Sequence, residues 1–375
     1  MVLTGKRGGF GAMKPMLRLL RDDPAFQLQL VATDQHVSDR FGRTVTEIEA
    51  EFPVAALVDM GQKDDKPESR ARALGVCLEN MAGQLSQMRP DICVLYGDRG
   101  EVLASATAAT TLNIPIAHIQ GGDISGSQDE VMRHAVTKLA HLHFPSTEDS
   151  AERIRRMGEE DWRIHVVGDN HLDLIVAGEY ARPAEVVREL EVDPAKPLII
   201  VLQHSETTAP DESHYQMVET LEAVRGTGHQ AVVIHPSSDA GYEGVLRAIE
   251  EIGRPPQFRV RVNLEAPVFW GLLAMASVLV GNSSAGLIES PSFHLPAVDI
   301  GRRQEGRKRA ENVIHAEHDR KLIRAAIDEA LSGTFRATAA KCQQLFGDGM
   351  AGERIIKVLR DVSLDRRLLL KRMAY

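Results

Sequence analysis

Acidic and imidazole side chains gather where apolar, β-rich runs of this 375-residue chain come to an end. The run Asp91–Tyr96 leads into Gly97-Asp98-Arg99, and Ile114–Ile119 leads into Gln120-Gly121-Gly122-Asp123. Asp129 and Glu130 follow, with Arg133 and His134 one helical turn further on. Carboxylates held close together push their pKa values apart, so one becomes fit to accept a proton and another to donate one. Asp129 and Glu130 have an alternative duty, charging and capping the N-terminus of their own helix. Asp98, in an Asp-Arg pair at a strand end, has no such structural duty in view. His204 follows the run Leu198–Gln203, and His235 closes Ala231–His235. A strand-end histidine serves either proton transfer or ordinary hydrogen bonding.

A second kind of chemistry is offered by Gly281-Asn282-Ser283-Ser284-Ala285-Gly286, which runs from strand Val278–Val280 into a helix. Its small residues, backbone N–H groups and two hydroxyls can cradle a diphosphate at a helix N-terminus. The other reading is a tight turn with a serine cap. Glu289, in the first turns of that helix, is placed to accept both hydroxyls of a ribose or merely to balance the helix dipole. Arg302, Arg303 and Arg307 follow the next strand and can pair with phosphate, or be solvated. No H-E-x-x-H pair and no Cys/His cluster is present, so no metal is expected. Gly8-Gly9-Phe10-Gly11 does not match G-x-G-x-x-G, and there is no G-x-S-x-G or Walker sequence, which disfavours a hydrolase elbow or a kinase.

These residues need a scaffold that brings strand ends together. Short apolar runs alternate with helix-period segments, the pattern of parallel sheets covered by helices. In the first half the expected strands are Met1–Leu3, Leu28–Thr33, Ala55–Met60, Asp91–Tyr96, Ile114–Ile119, Leu142–Pro145 and Ile164–Val167. Helices are expected near Met13–Arg21, Pro67–Met88, Val102–Leu112, Glu130–Ala140 and Glu148–Met157. The polar stretch Arg182–Pro197 reads as a link between domains. Strands Leu198–Gln203, Ala231–His235, Arg259–Val262, Val278–Val280 and Ala297–Ile300 follow, with helices near Glu212–Arg225, Gly241–Ile252, Val268–Ala276, Gly286–Ser290 and Arg320–Leu331. Two last helices, Gly352–Leu359 and Leu364–Arg372, are expected to rejoin the first half. The fold class is therefore α/β: two Rossmann-like doubly wound domains, 1–181 with 352–375 and 182–351, with a ligand cleft at the carboxyl ends of their strands.

Hydrophobic residues make up 43% and charged residues 26% of the chain, so it can bury a core and is not disordered. A net charge of −9 argues against nucleic acid or an anionic membrane as partner. No segment has 18 consecutive apolar residues, as a membrane span would require. Cys77, Cys93 and Cys342 are far apart and read as buried thiols of a reducing, cytoplasmic protein. The chain opens directly on a very short strand, the pattern expected where a few leading residues have been lost.

Taken together, the motifs resemble the hydrolysing UDP-N-acetylglucosamine 2-epimerase family, which serves sialic- and other nonulosonic-acid synthesis. The likeness rests on Thr4-Gly5-Lys6-Arg7, on His36-Val37-Ser38 with Phe41-Gly42-Arg43-Thr44, on Gly97-Asp98-Arg99, and most of all on residues 121–143, GGDISGSQDEVMRHAVTKLAHLH. Gln203-His204, His235-Pro236, Gly281-Asn282-Ser283-Ser284 and Arg303-Gln304-Glu305-Gly306-Arg307 extend it. The resemblance implies a GT-B-like fold with the nucleotide held mainly by the second domain. It implies removal of the C2 proton, loss of UDP or GDP from C1 to give a glycal, and hydration to the free epimerised sugar. That sugar is N-acetylmannosamine or a 2,4-diacetamido-6-deoxy relative, and no cofactor is needed.

By the same resemblance Asp98 and Asp129 match acid–base positions, and Arg133 and His204 match active-site positions. Asp123 and Glu130 join them as catalytic candidates, Asp123 standing where many members carry Glu. Arg7, Ser283, Ser284 and Glu289 match nucleotide contacts, and Arg99, Gln120, His235, Gly286 and Arg303 are taken as further binding residues. Gln120 stands where some members have a catalytic Glu, and an amide cannot transfer a proton as a carboxylate does. Gly9 replaces an acidic residue and Gly100 a large aromatic, changes expected to reshape the sugar side of the pocket. Relatives form dimers or tetramers, so a homodimer or homotetramer is expected. Two other functions stay open: a GT-B-fold glycosyltransferase, which would need an acceptor, and a non-catalytic nucleotide-sugar-binding protein.

Overall fold

The computed structural model describes residues 1–39, 42–64, 66–125, 128–237, 239–253 and 255–375. Phe41, Gly126 and Ser127 of the family-like motifs lie outside the described residues. The chain forms two units, one of Met1–Ile124, Gln128–Leu174 and Phe346–Tyr375, the other of Ile175–Leu345. These breaks come earlier than 181/182 and 351/352. At the second break the Phe346 carbonyl accepts the Asp169 N–H at 2.7 Å, which ties this stretch to the first unit.

The first unit holds strands β1 (Val2–Thr4), β2 (Leu30–Thr33), β3 (Val54–Val58), β4 (Cys93–Tyr96), β5 (Ile116–Ile119) and β6 (Leu142–Phe144). Between them run α1 (Arg7–Asp22), α2 (Val45–Glu49), α3 (Pro67–Met88), α4 (Gly100–Thr111), α5 (Asp129–Leu139) and α6 (Glu148–Arg156), and α7 (His171–Val176) follows. The second unit holds α8 (Pro183–Leu190), β7 (Leu198–Leu202), α9 (Ser213–Arg225), β8 (Gln230–Ile234), α10 (Tyr242–Glu251), β9 (Phe258–Arg261), α11 (Ala266–Met275), β10 (Val278–Gly281), α12 (Ala285–Ile288), β11 (Ala297–Ile300), β12 (Val313–Ala316), α13 (Arg320–Leu331) and α14 (Gly333–Ala339). The chain ends with α15 (Ala351–Asp361) and α16 (Arg366–Leu369), which belong to the first unit.

Both sheets are parallel and repeat one topology. The first has the order β3-β2-β1-β4-β5-β6 and the second, read in the same direction, β9-β8-β7-β10-β11-β12. A parallel sheet covered on both faces needs continuous apolar strands, and Ile199, Ile200, Val201 and Val278–Val280 supply them, all buried. In the first unit Phe10, Met13, Met16 and Leu17 of α1 pack one sheet face with Ile355 and Ile356 of α15, while Cys77, Met81 and Leu85 of α3 pack the other.

Several elements differ from the expectation. Helix α1 starts at Arg7 rather than Met13, taking in Gly8, Gly9 and Gly11. Residues 182–197 are not a bare link: Pro183 opens α8, whose buried Val186 and Leu190 pack into the second unit. The expected strand Ile164–Val167 reduces to a single bridge between Ile164 and His143. Helices α2, α7, α8 and α14 and edge strand β12 were not expected, and α16 is shorter than Leu364–Arg372. The three cysteines are buried thiols, and burial raises Cys77 to about 12 and Cys93 to about 11. No helix among the described residues is long and apolar enough to cross a membrane.

Candidate active site

A sheet of this order reverses the direction of its crossovers between its first and fourth strands, and ligands of open α/β sheets bind outside the strand ends there. In the first unit these ends are β1 and β4. Gly97 turns the chain at φ +86°, a conformation open to glycine, and its carbonyl accepts His118 Nε2–H at 2.8 Å. Burial pushes His118 down to about 3, so the ring is a neutral pin. Asp98 comes next and receives Arg133 Nη2. Arg133 is 2% exposed, and its Nη1 donates to the Asp123 carbonyl at 3.0 Å. One guanidinium on α5 thus fixes the loops after β4 and β5.

The Asp123 carboxylate is buried and accepts the hydroxyl of Ser150, in the first turn of α6. Gly122, at φ +76°, lets that helix approach, since a Cβ there would strike the Ser150 carbonyl. Asp123 therefore anchors α6. Asp129 sits half-buried in the first turn of α5, and Glu130 lies 3.7 Å from His134 along that helix.

A second cluster lies at the ends of β4, β5 and β6. Gln120 holds a left-handed φ of +63°, uncommon for a residue with a side chain, and its amide donates to Asp169 Oδ2 at 2.7 Å. Asp169 is 1% exposed and lies 2.8 Å from His171 Nδ1 through Oδ1, which also accepts the His171 backbone N–H at 3.0 Å. Burial alone would raise the Asp169 carboxyl, but the His171 charge and hydrogen bonds from His171 and Gln120 hold it below the usual range. The Tyr96 hydroxyl is 3.1 Å from His171 Nδ1.

Other first-unit expectations need correcting. Arg99 is 4% exposed, 3.5 Å from buried Glu101 and 3.8 Å from Asp34, so it balances interior carboxylates. Gly100 answers to packing: a Cβ would run into Leu74 of α3. Gly9 lies under Tyr96, its would-be Cβ 3.5 Å from the ring. Arg7 pairs with Glu47 of α2. His36 joins Thr4 at 3.0 Å and Thr44 at 2.7 Å, and burial lowers it to about 4, so that motif residue is a structural pin.

In the second unit the reversal falls between β7 and β10. Gly281 stands at φ +141°, where a Cβ would strike the Leu202 carbonyl. The side-chain amide of fully buried Asn282 clamps the His204 backbone, accepting its N–H at 2.7 Å and donating to its carbonyl at 2.9 Å. His204 Nδ1 receives the Ser237 N–H at 3.0 Å. A backbone N–H can only donate, so the neutral His204 ring carries its proton on Nε2. The Ser237 hydroxyl donates to Asp239 at 2.9 Å, and Arg303 reaches Asp239 at 3.3 Å and the Asn282 carbonyl at 3.4 Å. Gln304 donates to that carbonyl at 2.9 Å.

Ser283 and Ser284 are half-buried at the head of α12, but α12 has four residues and its dipole is correspondingly small. Gly286 faces the sheet, its would-be Cβ 3.6 Å from that of Ala297. Glu289 follows α12 rather than opening it, is 6% exposed, and accepts the Trp270 indole N–H at 3.0 Å. The ribose reading must therefore share this carboxylate with Trp270. His235 is half-buried at the end of β8, and burial lowers its pKa. Sequence reasoning missed Tyr96, Asp169, His171, Ser237 and Asp239. Among the described residues no group of three His, Cys, Asp or Glu is placed to hold a metal.

Comparison with known proteins bears directly on these strand ends. The UDP-N-acetylglucosamine 2-epimerase family model matches residues 18–360. The UDP-N,N′-diacetylbacillosamine 2-epimerase (hydrolyzing) of Legionella pneumophila is 34% identical over 374 residues, 100% of this chain and 98% of its own. The UDP-N-acetylglucosamine 2-epimerase of Neisseria meningitidis is 30% identical over 336 residues, 89% of this chain and 88% of its own. The Methanocaldococcus jannaschii UDP-GlcNAc 2-epimerase, solved with UDP-GlcNAc and UDP, has the same fold at a TM-score of 0.80 and 18% identity, covering 96% of this chain and 98% of that one. The match spans the strand-end loops of both units, from Gly97-Asp98 to Arg303, and the chain belongs to the UDP-N-acetylglucosamine 2-epimerase family.

Proposed function

We propose that this protein cleaves and epimerises a UDP-linked 2-acetamido sugar, with UDP-N,N′-diacetylbacillosamine its first candidate substrate and UDP-N-acetylglucosamine the second. The observation that carries the reading is Arg133, whose buried guanidinium holds Asp98 and the Asp123 loop together at the strand ends of a family-matched unit. The choice of sugar is supported by full-length similarity to the Legionella enzyme and by 27% identity to the GDP/UDP-N,N′-diacetylbacillosamine 2-epimerase (hydrolyzing) of Campylobacter jejuni.

The reaction asks for few parts. A base removes the proton at C2, the C1–O bond breaks, and its electron pair leaves with the diphosphate, which makes C2 planar without any redox cofactor. Water then adds across the glycal, hydroxyl to C1 and proton to C2 from the other face. Asp98 and Asp129 serve proton transfers of the hydration, returning a proton to C2 and taking one from the water that adds at C1. His204, with its proton on Nε2, donates to the departing diphosphate, which Arg303, Ser283 and Ser284 of the same unit hold. Arg133 positions Asp98, and Asp123 positions α6. The protein works as a homodimer or homotetramer in the cytoplasm.

The test is incubation of the purified protein with UDP-N,N′-diacetylbacillosamine, its GDP analogue and UDP-N-acetylglucosamine, with separation of nucleotides and sugars. Free UDP together with a C2-epimerised sugar from the first substrate is expected. Absence of both products from all three would overturn the reading, and release of nucleotide only when an acceptor is added would point to a transferase instead.

A further inference from the structure

Epimerisation at C2 with elimination needs proton-transfer groups for both faces of that carbon, and Gln120 cannot be one of them. The geometry points to His171: we propose that its Nε2, with Nδ1–H held by Asp169, is a proton-transfer group of the reaction, doing at this strand end what an amide cannot. The proposal rests on the epimerase reading above.

The argument begins with the partners of Nδ1. A carboxylate accepts and cannot donate when ionised. Asp169 Oδ1 lies 2.8 Å from His171 Nδ1, and hydrogen bonds from the His171 backbone N–H and the Gln120 amide favour its ionised form. The ring proton therefore sits on Nδ1 and the lone pair on Nε2, the arrangement of a histidine that accepts a proton and is stabilised by a carboxylate once charged. Tyr96 borders the same nitrogen at 3.1 Å and packs edge-on to the ring, with centroids 6.1 Å apart. Asp169 and Tyr96 thus define the ring plane, while the His171 side chain stays 18% exposed against 0% for that of Asp169. A residue needed only to fill space would not require this definition of tautomer and plane.

Location supports the assignment. Tyr96 is the last residue of β4, two before Asp98, and Gln120 follows β5 directly. Gln120 and the Ser146 hydroxyl, the latter at 3.4 Å, both turn to Asp169 Oδ2. The carboxylate absent from position 120 is thus present one hydrogen bond away, out of reach of a substrate, and His171 is the group through which it can act. In the step proposed, the C2–H bond breaks to form Nε2–H, its electron pair becomes the C1=C2 double bond, and the C1–O pair leaves with the diphosphate. The imidazolium then yields its proton to solvent before the next turnover.

The test compares wild type with His171→Gln and Asp169→Asn, the latter able to offer its amide N–H to Nδ1 and so reverse the tautomer. For His171→Gln, kcat for nucleotide release should fall on the order of 100-fold, with KM within about threefold. UDP affinity by calorimetry should not change, and C2-deuterated substrate should show a larger isotope effect than in wild type. Asp169→Asn should lose about as much. Adding Gln120→Glu to His171→Gln should restore roughly tenfold of the loss. A kcat within about threefold of wild type for His171→Gln would overturn the proposal, as would a loss of UDP affinity in step with kcat, which marks a structural role. If wild type itself releases no UDP, the epimerase reading fails first; if wild type turns over and His171→Gln does too, only this proposal falls.

Discussion

Two imidazoles, one in each unit, are held through Nδ1 by opposite partners. His204 meets a backbone N–H at 3.0 Å, so its Nε2 offers a proton. His171 meets a carboxylate at 2.8 Å, so its Nε2 offers a lone pair. In the roles proposed above, one residue type serves as an acid in one place and a base in the other because of the partner at Nδ1. The two units differ in the same sense more widely. The first unit holds Asp98 with the guanidinium of Arg133, whereas in the second His204 itself is clamped by the neutral amide of Asn282, with the Arg303–Asp239 pair beside it.

The contrast breaks most visibly at the charged end. Asp98→Asn should lower kcat by about 1,000-fold or more, within the range of a lost acid–base group, while UDP affinity measured by calorimetry stays within a few-fold. A parallel fall of affinity would mean that Asp98 organises binding instead. His204→Gln should cost on the order of 100-fold in kcat, and the loss should shrink for a substrate whose leaving group needs no proton. Equal losses for both leaving groups would remove the donor role.

The units should also part in acid. His36, His141 and His143 are lowered to about 4 and His118 to about 3, all chiefly by burial and all in the first unit. The unfolded chain protonates such rings near pH 6.5 while the folded chain resists until about pH 4, so their stability is whole above 6.5 and is lost as pH falls. Each of the three held near 4 is worth up to about 3 kcal/mol. Asp173, raised to about 6 by burial, acts oppositely: its contribution is present below pH 4 and lost as pH rises through 6, while Glu159, lowered to about 2, adds to the loss in acid. Each unit has one tryptophan, Trp162 in the first and Trp270 in the second. In single-tryptophan variants, Trp162 fluorescence should change about one pH unit above Trp270 on acidification. Coincident transitions would contradict the unequal burden.

The smallest effect is expected at Ser284. Replacing it with Ala removes a contact made in ground and transition states alike, so KM should rise about three- to tenfold with kcat nearly unchanged. Equal changes in both constants would refute the binding role.

Much of this was legible in the sequence, for identifiable reasons. Apolar strands interrupted by helix-period segments reveal a doubly wound sheet, and the ends of α3 and α13 fall where Pro67 and Asp319-Arg320 signal them. Asp98, Arg133 and His204 stood out because strand ends of such sheets are where chemistry collects. Misreadings came where local signals compete. The first helix was expected only from about Met13, yet α1 contains Gly8, Gly9 and Gly11, and Gly9 lies beneath Tyr96. Pro183 suggested a break, yet it stands at the one helical position that proline favours. Strand β12 is only partly buried at a sheet edge, so its pattern is weak. Asp169 and His171 were invisible because their meaning needs Tyr96 and Gln120, 75 and 49 residues away along the chain. The interior pairing of Arg99 with Glu101 and Asp34 was not legible either, because a motif gives residue types, while the direction a side chain faces is decided by packing.

The most direct test of the central claim is turnover of UDP-N,N′-diacetylbacillosamine in D2O, followed by NMR. Each free sugar released should be inverted at C2 and carry one solvent deuterium there, with one UDP formed alongside. UDP release that leaves the original C2 hydrogen and configuration in place would contradict proton abstraction as the chemistry of this site.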